Sequence, residues 1–138
     1  MTYNIDEIKI GYKLRKETLI EEKNVELFGK LVADLNPAHF DNEYASKTIF
    51  KKRIAHGMFI GSLFSSIFGM DYPGRGSIYL SQSLKFTAPV YFNDLITSEI
   101  IVKEIIKEKN KVIFTCTATN QDGRTVIIGE AVIMPPRK

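Results

Sequence analysis

The chain has one cysteine, Cys116, so it forms neither an intrachain disulfide nor a multi-cysteine metal site. A reducing compartment fits that usage. It has no dominant charge: 19 Lys and Arg stand against 16 Asp and Glu, a net +3 spread along the chain. The one dense basic run is Lys51-Lys52-Arg53, far short of the stripe a nucleic-acid partner asks for. Long apolar runs are missing too. The longest, Met58 to Met70, is too short to cross a bilayer and suits a buried helix. Met1 to Lys13 carries charges throughout and has no apolar centre, unlike a secretory signal. The expectation is a soluble, cytoplasmic protein with no nucleic-acid or membrane partner. With 44% hydrophobic residues and little net charge, the chain is no candidate for disorder. Its 138 residues fit one domain, 1–138, and pairing with a second copy would add buried area.

The first half reads as helical. Val25, Phe28, Leu31, Val32 and Leu35 recur at three- and four-residue steps, which predicts a helix from Glu22 to Leu35 with one apolar stripe. Pro37 stops it, because the residue before proline is pushed out of helical geometry. Asp41 is a good cap for a short helix running to Ser46. From His56 to Met70 there is no charged residue, and a helix apolar nearly all round is expected to be buried nearly all round. Asp71-Tyr72-Pro73-Gly74 ends it as a turn. After Gly76 the period changes to two. Strands are expected over Ile78 to Phe86, Leu95 to Ile106, Val112 to Asn120 and Thr125 to Met134. This order supports an α+β class.

Chemistry points to Ala33-Asp34-Leu35-Asn36-Pro37-Ala38-His39. On one unbroken helix, residues five apart diverge by about 140°. Asn36-Pro37 breaks the helix between Asp34 and His39, so their side chains can converge. The Asn36 side chain can hold the turn by bonding nearby backbone. A carboxylate facing an imidazole can bind and activate water, each acting as general base or acid. The second feature is Ala55-His56-Gly57-Met58 at the start of the uncharged helix. A helix N-terminus presents unpaired N–H groups, and Gly57 has no side chain to block approach to them. Such a site suits an oxygen that becomes negative during reaction. His56 is read as bracing the loop.

These two motifs together resemble the MaoC-like dehydratase family, and within it the short bacterial (R)-specific enoyl-CoA hydratases. Pro73-Gly74-Arg75-Gly76-Ser77-Ile78-Tyr79-Leu80 and Ser83-Leu84-Lys85-Phe86 with Pro89-Val90 add to the resemblance, which runs from about Gly11 to the end. It implies a hot-dog fold, a curved antiparallel sheet wrapped around one long central helix. It also implies a homodimer and a trans-2-enoyl-CoA substrate, with no metal or redox cofactor beyond the substrate's own coenzyme A. Asp34 and His39 match the catalytic pair and Gly57 the backbone donor to the thioester oxygen. Ser65 matches a serine near the active carboxylate, and Asn36 a residue that shapes the site.

Beyond the matched motifs, Lys51, Lys52 and Arg53 are candidates for the phosphates of coenzyme A, or for a solvated basic face. Phe59, Leu63 and Tyr79 are candidates for lining the acyl tunnel. Other readings stay open: a dehydratase acting on acyl-carrier-protein substrates, and a non-catalytic module that binds acyl-CoA. The intact Asp34 and His39 speak against the module. A thioesterase on this fold usually carries its carboxylate on or beside the central helix, and Met58 to Met70 has none.

Overall fold

A computed structural model describes every residue from Met1 to Lys138. Leu95–Ile106 (β4), Lys111–Thr119 (β5) and Thr125–Met134 (β6) form three long antiparallel strands. Side chains on a strand point alternately to its two faces. On β5, Val112, Phe114, Cys116 and Ala118 are buried and the residues between them are not. On β4 the same alternation buries Ile96, Ser98, Ile100 and Val102. Register stacks these positions, with Ile100 opposite Cys116, Phe114 opposite Ala131 and Val112 opposite Ile133. Ile78–Gln82 (β2) and the two-residue Lys85–Phe86 (β3) both pair with β6.

One strand was not expected. Lys13–Leu19 (β1) pairs with β4 along its whole length, from Lys13 opposite Ile101 to Leu19 opposite Leu95. Its charged residues, Lys13, Arg15, Lys16 and Glu17, hide any hydrophobic alternation, and none of its residues is fully buried. Backbone pairing to β4 makes it a strand. Charges suit it to the sheet edge, where they discourage pairing with another chain. The sheet order is β1-β4-β5-β6-β2, with β3 beside β6.

The uncharged helix, Gly57–Ser66 (α4), continues through a π-helical turn, Ile67–Asp71. Ile60, Phe64, Ile67 and Phe68 are buried in the same core as the sheet's interior residues, and the Phe68 ring lies 4.8 Å from that of Phe114. Large side chains buried this way stabilise a fold by about 1.5–3 kcal/mol each. Gly61 lets the sheet approach closely, since a Cβ there would lie 2.7 Å from Leu84. A curved antiparallel sheet holding one central helix is the hot-dog arrangement, in the α+β class. The helix is not covered all round, however. Met58 and Met70 are 60% and 52% exposed, and Ser62, Ser65 and Ser66 are exposed too. The sheet of a single chain covers only one side of it.

The first helix also differs from expectation. It spans Glu22–Val32 (α1) and ends at Ala33, whose backbone is left-handed (φ 62°) and whose N–H bonds the carbonyls of Gly29 and Lys30. Only Val25 and Gly29 are buried on it, while Leu31, Val32 and Leu35 face outward. Two short helices follow, Pro37–Phe40 (α2) and Asn42–Ser46 (α3), the second capped by Asp41 as its sequence predicts.

Candidate active site

Asp34 follows the left-handed end of α1, so it leaves the helix before Pro37 could break it. Its backbone is held at both ends. Its N–H donates to the Gly29 carbonyl at 2.8 Å, and its own carbonyl accepts from Nε2 of His56 at 3.0 Å. Its carboxylate accepts from the Asn36 N–H at 3.2 Å, leaving the rest of the half-exposed group free. Asn36 turns the chain as expected: its Oδ1 accepts from the Ala38 N–H at 3.1 Å and caps α2. His39 lies on that short helix. Gly29 is where α1 touches this turn, because a Cβ there would sit 2.5 Å from the Phe40 ring and 2.9 Å from the Asp34 carbonyl.

The His39 tautomer follows from one contact. Nδ1 lies 2.7 Å from the Ile54 carbonyl, which can only accept, so Nδ1 carries the hydrogen. Nε2 is then a bare lone pair. Burial holds the His39 imidazole below its ordinary value of 6.5, with nearby His56 and Arg53 acting the same way and the Ile54 carbonyl and Asp34 opposing. At neutral pH the ring is therefore an uncharged base.

Asp34, His39 and the N-terminus of α4 share one cavity of about 460 Å³. Ala55, His56, Gly57, Met58 and Ile60 form one wall, and Phe86, Thr87, Ala88, Pro89 and Val90 the other. Val126 and Ile127 of β6 line it too. The start of α4 has no side-chain cap, so Gly57 brings a helix N-terminus with free donor capacity to the cavity. The Phe86 ring lies over Gly57, where a Cβ would meet it at 2.7 Å. Nothing in the local sequence around either residue signals this packing, because β3 reaches Gly57 only through its pairing with β6.

One nitrogen of each imidazole and a carboxylate oxygen of Asp34 lie within 4.8 Å of one another. A catalytic zinc takes three protein ligands. His56 Nε2 is committed to the Asp34 carbonyl and its Nδ1 is buried, which leaves His39 and Asp34 as the accessible ligand groups. Those two acceptors suit a water that donates one O–H to each.

The other sequence candidates lie elsewhere. Arg53 is 7% exposed, and its guanidinium binds Glu22 at 2.7 Å, Glu26 at 3.5 Å and the His39 carbonyl at 2.7 Å. It ties α1 to α2 and is not free for a phosphate; the local basic run gives no hint of two acidic partners on α1. Lys52 is exposed, with its ammonium 5.0 Å from the centre of the Tyr91 ring, and lines a separate hollow with Lys51, Asn42 and Tyr91. Phe59, Leu63 and Tyr79 do not line the cavity. Phe59 packs on the Phe28 ring at 5.3 Å, Leu63 sits one turn further along that side of α4, and Tyr79 bonds Gln82 on the edge strand β2. Ser65 lies outside the cavity, on the exposed side of α4.

No helix is long and apolar enough to cross a membrane. The MaoC-like domain family matches residues 4–123. The chain is 42% identical over 133 residues to an (R)-specific enoyl-CoA hydratase of Rhodospirillum rubrum, covering 96% of this chain and 92% of that protein. It is 35% identical over 132 residues to a mitochondrial 3-hydroxyacyl-[acyl-carrier-protein] dehydratase of Arabidopsis thaliana, covering 94% of this chain and 78% of that one. Its fold superposes on the unliganded (R)-hydratase of Pseudomonas aeruginosa with a TM-score of 0.92, at 41% identity, covering 98% of this chain and 86% of that one. With its two motifs meeting in one cavity and its length matched almost throughout, the chain belongs to the MaoC-like domain family.

Proposed function

We propose that this protein is a hydro-lyase, an (R)-specific enoyl-CoA hydratase that reversibly adds water to trans-2-enoyl-CoA. One observation carries the reading: the bare Nε2 of a neutral His39 and the Asp34 carboxylate share a cavity with the uncapped N-terminus of α4. The Gly57 N–H polarises the thioester carbonyl and stabilises the negative charge that builds on its oxygen. Asp34 and His39 hold a water through its two hydrogens. As one O–H bond breaks toward this pair, the oxygen bonds C3 and the electron pair moves to the thioester enolate. The proton taken up by the pair returns to C2, giving a 3-hydroxyacyl-CoA. The (R) configuration rests on similarity to the hydratases above. These steps call on no metal or redox cofactor.

A cytoplasmic homodimer completes the reading. The open side of α4, with exposed Met58, and the exposed Ile78, Leu80 and Phe86 of β2 and β3 give a second copy an apolar surface to cover. Light scattering on the purified protein tests the dimer; a monomer at micromolar concentration would overturn it.

The activity test is loss of the enoyl-thioester absorbance when the protein meets crotonyl-CoA. Rapid hydration supports the proposal, and its absence with short and medium enoyl-CoA overturns it. The acyl-carrier-protein dehydratase is kept as a second reading because Lys51 and Lys52 are exposed in a hollow of their own, where an acidic carrier could dock, and because of the plant relative. Faster turnover of crotonyl-carrier-protein than of crotonyl-CoA would favour it.

A further inference from the structure

His56 does more than pack. It is 2% exposed, and four residues define its surroundings. Its ring lies nearly parallel to that of His39, with centroids 3.8 Å apart and planes at 27°. Phe28 and Phe40 close other sides, at 5.1 and 6.2 Å. Nε2 lies 3.0 Å from the Asp34 carbonyl and 3.9 Å from the Asp34 carboxylate. Since the carbonyl only accepts, the Nε2 hydrogen points at Asp34. Nδ1 is buried and has no partner at all. A residue present only to fill this aromatic box would be an apolar one, with no orphaned nitrogen to desolvate.

We propose that His56 is a positioning residue that sets the placement of Asp34 against His39, its Nε2–H holding the Asp34 backbone while its ring face holds the His39 ring. The proposal rests on the reading of Asp34 and His39 as the reacting pair. Both groups are thereby indexed to the first turn of α4, because His56 is the residue immediately before Gly57 and stands at the N-cap position. One side chain thus ties the water-holding pair to the thioester-binding N–H. The same ring shields His39 from water. The polar groups that face His39 are the Ile54 carbonyl, His56, Asp34 and Arg53; of its surroundings, burial acts most strongly and lowers its proton affinity.

Two substitutions separate the roles. His56→Phe keeps a ring against His39 and removes the N–H to Asp34. Reacting groups displaced by about 1 Å can lose about 10²-fold in rate, so kcat should fall by that order while KM changes little. His56→Gln keeps an N–H within reach of the carbonyl but removes the ring and admits water. Its kcat should stay closer to wild type, and the acid limb of kcat/KM should move to higher pH. Wild-type kcat and an unmoved acid limb in both folded variants would overturn the proposal.

A measurement on the wild-type protein needs no variant and no substrate. Long-range 1H–15N NMR should show His56 protonated at Nε2 with bare Nδ1, and His39 the reverse. A His56 protonated at Nδ1 instead would overturn the proposal. These spectra decide it even if crotonyl-CoA is not turned over, so its failure is distinct from failure of the hydratase reading.

Discussion

The sheet and the segment between α1 and α4 are built by opposite means. In β4 and β5 burial follows strand alternation, as it does in β6 beyond the adjacent buried pair Val126 and Ile127, and each interior side chain is supported by neighbours opposite and alongside. Between Ala33 and His56 only Ala45, Arg53, Ala55 and His56 are buried. That segment takes its shape from single polar contacts: Asn36 to Ala38, His39 to Ile54, Arg53 to Glu22 and His56 to Asp34. Stability is spread over the sheet, while the groups that react sit where one contact decides an orientation. The two regions should therefore respond separately to mutation.

The sharpest separation is expected from Asp34→Ala and His39→Ala. Each should lower kcat by about 10²–10⁴-fold, the usual contribution of a general acid or base, with little change in melting temperature. The double variant should be little worse than either single one if the two act as a unit. Steady-state kinetics beside thermal denaturation checks this, and a variant that loses stability and activity in parallel would break the contrast. Phe114→Ala is the converse case. Its side chain is fully buried against Phe68 and Tyr72, and such truncations cost about 3–5 kcal/mol. Chemical denaturation should show that loss, while the fraction still folded at low temperature should keep near-normal kcat.

Gly29→Ala probes the seam between the regions. Its Cβ would overlap the Phe40 ring and the Asp34 carbonyl, so a loss of about 1–3 kcal/mol is expected from overpacking. Because the displaced carbonyl belongs to Asp34, kcat should fall with it, by about tenfold or more. A stability loss with unchanged kcat would show that the turn holds Asp34 without help from α1. The smallest effect is a pH dependence. The folded His39 binds its proton less readily than a free imidazole, so activity should hold as pH falls to 6.5 and decline only below it. Since the unfolded chain takes up that proton first, the stability linked to His39 is present above pH 6.5 and is lost as pH falls below it. A pH–rate profile whose acid limb lies above 6.5 would contradict a buried, neutral His39.

Much of this was legible in the sequence because it depends on neighbours along the chain. A run rich in isoleucine, valine and threonine marked β4 to its end residues, the Gln121-Asp122-Gly123 turn marked where β6 begins, and Asp41 marked the cap of α3. The lack of charge from His56 to Met70 marked the central helix, and Asn36-Pro37 marked the turn that lets Asp34 and His39 converge. β1 was illegible because its charges carry no period and only β4 makes it a strand. The end of α1 at Ala33 was hidden because a left-handed alanine has no sequence signal, and the exposure of Leu31 and Leu35 because helical period shows a stripe without showing what meets it.

What the amino-acid order determined alone is the central helix, the strands after Gly76, and the residues able to do acid–base chemistry. Tertiary structure decided how those residues are used. The Ile54 carbonyl selects the His39 tautomer, two glutamates on α1 withdraw Arg53 from solvent, and Phe86 arrives over Gly57 from β3. The reason is physical: backbone preference and hydrophobic period act over a few residues, whereas each of these contacts joins positions 15 to 31 residues apart that meet only once the chain has packed.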